Sequence, residues 1–200
     1  MIIPNQEDMM RKGGYDMKRL IVLLTFTSIS AASNYVSNGD FEQALTVGWA
    51  QIMAGGGTTI NRSTTYHPDP DYEVYVYKGA GTTGYAQLWQ IADIPTCNME
   101  LSFKAKLYAW DNYSGAWAGA AVRIEYLDNS NISLGETRIC RWSYNCPWTN
   151  SAECHIIQVA DSLWHDYNFN LLDELENVPA VNPDEVAKIK ITLNSQVVHC

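Results

Sequence analysis

Apolar and polar residues alternate along much of this chain. In Met99-Glu100-Leu101-Ser102-Phe103-Lys104-Ala105-Lys106-Leu107 every odd position is apolar, and Lys104 and Lys106 face the other way. A period of two is the signature of a half-buried strand. It recurs in Ala120-Ala121-Val122-Arg123-Ile124-Glu125-Tyr126 and in Lys188-Ile189-Lys190-Ile191-Thr192-Leu193. Weaker strands are read at Val74 to Lys78, Tyr85 to Ile91, Ile132 to Ile139, His155 to Val159 and Trp164 to Leu171. Asn38-Gly39, Gly55-Gly56-Gly57, Gly79-Ala80-Gly81 and Asp128-Asn129-Ser130-Asn131 supply turns between them. Helix is confined to one short turn within Leu171 to Asn177, stopped by Pro179 and Pro183. Many short strands at this spacing predict an all-β fold, an antiparallel β-sandwich.

The N-terminus follows a different pattern. Lys18-Arg19, the apolar run Leu20 to Phe26 and the small residues Ser30-Ala31-Ala32 have the layout of a secretion signal, with a core too short to span a bilayer. Residues 1–16 place polar Asn5-Gln6-Glu7-Asp8 ahead of the basic region, which no targeting scheme explains. Arg11-Lys12-Gly13-Gly14 is what a purine-rich bacterial ribosome-binding site yields when translated in frame, so translation is expected to start at Met17. The expected organisation is an untranslated or mis-assigned 1–16, a signal peptide at 17–33 and one domain at 34–200, secreted, with no membrane span in the mature chain.

Charge narrows the partners. The chain has 22 acidic and 13 basic residues; residues 1–33 hold three and four of these, leaving 19 against nine for the mature part. Such acidity repels phosphate backbones and anionic lipid, so nucleic acid is not an expected partner, whereas neutral glycans and cations are compatible. Cys97, Cys140, Cys146, Cys154 and Cys200 all follow the signal, and in an oxidising compartment they are disulfide candidates. Cys140, Cys146, Cys154 and His155 also admit a zinc reading, but their spacing departs from the usual C-x2-C framework, and the disulfide reading is preferred.

Asn38-Gly39-Asp40-Phe41-Glu42 followed by Gly48-Trp49, then Ala86-Gln87-Leu88-Trp89-Gln90-Ile91, Leu101 to Lys106, Tyr126-Leu127-Asp128 and Trp164-His165-Asp166-Tyr167 resemble, in that order, the strands of the jelly-roll carbohydrate-binding modules that accompany cellulases and xylanases. The resemblance implies a galactose-binding-domain-like jelly roll with a polysaccharide or oligosaccharide partner. It also implies a structural calcium ion near the first strand, with Asp40 and Glu42 in the matching positions, and no organic cofactor. Trp49 and Trp164 fall where such modules use aromatics structurally. Those modules close with a strand of the form G-x-x-x-x-D-D-V-x-L, and this chain stops at Val198-His199-Cys200. The expectation is either a fragment of a longer protein, or an N-terminal strand and disulfides in place of the missing edge.

Sugar surfaces combine aromatic rings, which pack on pyranose faces, with polar groups that bond hydroxyls. Candidate rings lie in three groups: Tyr75 and Tyr77 on the face of a strand opposite Val74 and Val76; Trp110, Tyr113 and Trp117 around one loop; and Trp142, Tyr144 and Trp148 between Cys140 and Cys154. A strand aromatic more often packs than binds, so the loop rings carry more weight. Asp69, Asp71 and Glu73 read as a solvated turn after Pro68 and Pro70. Catalysis is the competing class. Glu125, Glu136 and Asp166 supply carboxylates, yet the E-x-D-x-x-E strand of jelly-roll glucanases, the G-x-S-x-G elbow and the H-E-x-x-H helix are absent, and His67, His155, His165 and His199 have no recognisable nucleophile partner. The sequence therefore predicts non-catalytic carbohydrate binding. A secreted structural or adhesion module contacting protein and a glycoside hydrolase fragment stand as alternatives.

Overall fold

The computed structural model describes residues 22–25, 34–65, 71–111 and 115–199. The expected start at Met17, the cleavage region, the Asp69 turn, His67, Tyr113 and Cys200 lie outside these. Alternation becomes strand wherever it was strong. The strands are β1 (Val22–Thr25), β2 (Ala50–Ala54), β3 (Thr58–Ser63), β4 (Glu73–Lys78), β5 (Gly84–Asp93), β6 (Glu100–Leu107), β7 (Trp117–Leu127), β8 (Ser133–Trp142), β9 (Cys154–Gln158), β10 (Trp164–Asn170) and β11 (Lys188–Val198). A short helix α1 (Leu171–Leu175) follows β10, its first turn capped by the Asn170 side chain.

One layer is a six-stranded sheet ordered β2-β5-β11-β7-β8-β9. The second consists of the three-stranded sheet β1-β6-β10 and the hairpin β3-β4, brought together because β1 lies beside β4. Within the six-stranded sheet the β11 strand is central, flanked by β5 and β7 in long antiparallel ladders. Between the layers lie Val74 and Val76 from β4, Leu101, Phe103 and Leu107 from β6, Val122, Ile124 and Tyr126 from β7, and Ile189, Ile191 and Leu193 from β11, each under a tenth exposed. This is an all-β, sandwich-like fold in which the period-two pattern selects the buried face.

One part of the fold departs from the sequence reading. Asn38 to Glu42, expected in a first strand, is a succession of turns. Asn38 and Phe41 have left-handed φ values of 47° and 56°. Asn38 Nδ2 donates to the carbonyls of Gln43 and Ala44 at 3.2 Å, and its Oδ1 accepts from the Gln43 amide at 2.9 Å. A side chain that satisfies its neighbours' backbone in this way competes with a ladder. The apolar run read as a signal core contributes β1, paired antiparallel with β6.

Every pairing in the six-stranded sheet is antiparallel except one: β9 runs parallel to β8. Glu136 aligns with Cys154 and Cys140 with Gln158. After Trp142 the chain must therefore travel back along β8 before β9 can begin, and residues 143–153 make that return.

Candidate functional site

The return segment builds the most distinctive surface of the molecule. It is pinned where it leaves β8: the Ser143 amide donates to the Ala118 carbonyl at 2.9 Å, and Ser143 Oγ accepts from the Ala118 amide at 2.8 Å. Asn145, at φ 61°, turns it back. Trp148 then packs against the outer face of the sheet, over Gly119, where a side-chain Cβ would come within 2.5 Å of the indole. Only glycine admits that approach. Trp148 also meets Trp117 and Trp142 edge to face, with centroids 5.5 and 6.3 Å away, and the Arg138 guanidinium sits 4.7 Å from its ring centre.

Where β6 ends, the chain continues through Ala109, Trp110 and Asp111 to meet this pile. Between the two segments is an open cleft of about 480 Å³, lined by residues 109–111 and 142–146. The cleft has aromatic walls, Trp110, Trp142 and Tyr144, with Asp111, Ser143 and Asn145 among its polar groups. Trp110 is 45% exposed and Tyr144 84%, whereas Asp111 is only 7% exposed. Rings left this open at a concave surface are the usual equipment of a binding site.

The sequence candidates are thus divided. Trp110, Trp142 and Tyr144 line one cleft, and Trp117 and Trp148 buttress its Trp142 wall from behind. Tyr75 and Tyr77 belong to the other layer, on the face opposite Val74 and Val76; they stack on each other at 5.6 Å, and Tyr75 is buried. Trp49 is buried against Phe41, its indole N–H bonded to the Asn38 carbonyl at 3.0 Å. Asp111, which sequence reading left without a role, is the one charged residue among the described residues that line the cleft; its adjacency to Trp110 was the signal available.

Cys97, Cys140, Cys146 and Cys154 are free thiols. Register explains why Cys140 and Cys154 do not bridge: they lie four residues out of step on adjacent strands, about 13 Å at 3.3 Å per residue, well past disulfide reach. Burial pushes the Cys140 thiol up to about 12 and raises those of Cys146 and Cys154, so all three are protonated at neutral pH. His155, grouped with them in the zinc reading, instead faces Glu174, Nδ1 to Oε1 2.5 Å. Among the described residues no group of three or more His, Cys, Asp or Glu side chains is arranged to hold a metal ion. Asp40 Oδ1 accepts from the Glu42 amide at 3.3 Å and Glu42 Oε1 from the Tyr72 amide at 3.0 Å; the described residues bring no third acidic ligand to join them.

Beside the Trp148 pile, the same outer face carries a ladder of charges. Arg123 bridges Glu136 at 2.7 Å and Glu125 at 3.5 Å, Arg138 bonds Glu136, and Lys190 bonds Glu125 at 2.9 Å. Glu125 and Glu136 face each other across β7 and β8. Burial alone would raise the Glu136 carboxyl; the Arg123 and Arg138 guanidinia together outweigh it and hold Glu136 below the ordinary glutamate value.

No family model and no curated protein matches the chain. Among solved structures, it is similar to the enzymatically active domain of tailspike protein 4 from bacteriophage CBA120, with a TM-score of 0.46 and 16% identity over 82% of this chain. The chain spans about a fifth of that structure's length, 20%.

Proposed function

We propose that this is an exported module that binds carbohydrate without transforming it, and that the cleft between residues 109–111 and 142–146 receives the sugar. The observation that carries the reading is the cleft's composition: three rings, two of them well exposed, around a carboxylate, a hydroxyl and a side-chain amide. Rings supply faces for the C–H side of a pyranose, and the polar groups answer its hydroxyls. The loop is held at its root by the paired Ser143–Ala118 bonds and by Trp148, so little ordering is left to be done on binding.

A glycosidase reading has less support. Its general acid needs a raised pKa, and the facing carboxylates Glu125 and Glu136 are both tied to cations, with Glu136 shifted the opposite way. The test is affinity electrophoresis through soluble β-glucans, xylans, mannans and galactans, with and without chelator. Retardation by one polymer that Trp110→Ala abolishes and Tyr77→Ala leaves intact is the expected result. Retardation by none of the polymers, or retardation insensitive to Trp110→Ala, overturns the reading or its location.

A further inference from the structure

We infer that the exported protein holds a strand-wide slot between β6 and β4, and that the slot takes an extended segment of a partner polypeptide in which apolar and acidic residues alternate; the inference rests on the export reading above. The strand β1, Val22–Thr25, lies inside residues 17–33, the segment read as a signal peptide. In the full chain it is an inner strand of the second layer. It is laddered to β6, with Val22 opposite Leu107 and Thr25 opposite Lys104, and it lies beside β4 on its other flank. Removal of the signal therefore takes a strand out of the middle of a layer.

The two flanks do not close over that gap by themselves. β6 stays in its ladder with β10, and β4 in its ladder with β3. Each piece is packed separately into the core, β6 through Leu101 and Phe103 and β4 through Val74 and Val76. Neighbouring strands stand about 4.8 Å apart, so two edges that flank a missing strand are roughly 10 Å apart, beyond hydrogen-bond reach. Loss of β1 leaves β6 with unpaired backbone groups along residues 104–107, and opens Ala105 and Leu107, each 1% exposed in the full chain. Such an edge is a template for an added strand.

The slot also specifies its occupant. Along β6, Ala105 and Leu107 are buried while Lys104 and Lys106 are half-buried on the outer face. A strand paired with this edge meets the core at one set of alternate positions and a lysine at the other. Carboxylates directly opposite the lysines are favoured, and a like charge there is penalised.

The test uses the chain exported by an expressing bacterium. Intact mass is expected to show residues 17–33 absent. Amide hydrogen exchange on this mature protein should find residues 104–107 fast, and a short synthetic peptide alternating Val and Asp should slow them about tenfold or more. A peptide alternating Val and Lys should bind at least about tenfold more weakly, and Lys106→Glu should narrow or reverse that preference. The unprocessed chain, with β1 in place, should show slow exchange there and no response to either peptide. A mature chain that folds only with the Val-Asp peptide present also supports the inference, and one that stays unfolded with it overturns it. Exchange that the Val-Asp peptide leaves unchanged, or an equal response to both peptides, overturns it as well. So does slow exchange at 104–107 in the mature chain alone, whether the gap has closed or a second copy fills it. Export with residues 22–25 retained overturns the inference and leaves the export and carbohydrate readings standing. Absence of export overturns the inference together with the export reading.

Discussion

Two irregular stretches of this molecule, residues 34–49 and 143–153, both carry aromatics and are both anchored by hydrogen bonds, yet they do opposite things. In the first, Phe41 and Trp49 turn inward, are almost completely buried, and are stitched down by the side chain and carbonyl of Asn38. In the second, Trp148 is clamped on the sheet while Tyr144 is left 84% exposed at the mouth of a cleft. Aromatic content therefore does not mark a site. What separates the two is whether the rings are spent on packing or held open by other rings that are.

Substitutions can break that comparison from either side. Phe41→Ala should cost about 3–5 kcal/mol of folding stability in denaturant titration, the range for emptying a buried aromatic site, with ligand affinity of the folded fraction unchanged. A loss of affinity equal to that of Trp110→Ala would mean the two stretches are coupled. Glu136→Gln should cost about 2 kcal/mol at pH 7, between exposed and fully buried ion pairs, because Arg123 and Arg138 lose a shared partner. It should also flatten the acid limb of the stability curve. The folded-state pKa of Glu136 is depressed, so its contribution is present above the unfolded value of about 4.3 and is lost as pH falls through the lower folded one. Melting temperatures at successive pH values would show whether the variant is less acid-sensitive than the parent.

Smaller effects sharpen the cleft itself. Gly119→Ala puts a methyl where the Trp148 ring lies, and should cost about 1–3 kcal/mol together with a shift in tryptophan fluorescence as the ring lifts. Sugar affinity should fall with it, since Trp142 loses its support. Trp110→Ala, at a half-exposed ring, should leave stability within about 0.5 kcal/mol while lowering affinity at least about tenfold, as read by calorimetry.

The strand framework was most legible where one face is more open than the other, along all of β6, from Val122 to Tyr126 in β7 and from Lys188 to Ile191 in β11, since a one-sided strand writes its period into the sequence. The β2 strand was not legible. Its residues Gln51, Ile52 and Met53 are exposed on both faces at the edge of the sheet, so nothing enforces alternation there. Asn38 to Glu42 misled in the other direction, since a motif matched to a strand is bent into turns by its own asparagine. The rings of the cleft could be nominated from their place in loops. Their meeting with Asp111 could not, because it depends on β9 pairing parallel to β8, and strand direction leaves no trace in residue spacing.

That one parallel pairing has a practical consequence for anyone reshaping the protein. Surface loops are ordinarily the part of a fold that can be trimmed, swapped or lengthened at small cost. Residues 143–153 lack that licence, for they must carry the chain from the end of β8 back to the level of Glu136, six residues or about 20 Å away. Cutting its eleven residues below the roughly six extended ones that such a span needs would detach the edge strand. Specificity here is open to redesign one side chain at a time, and closed to wholesale grafting.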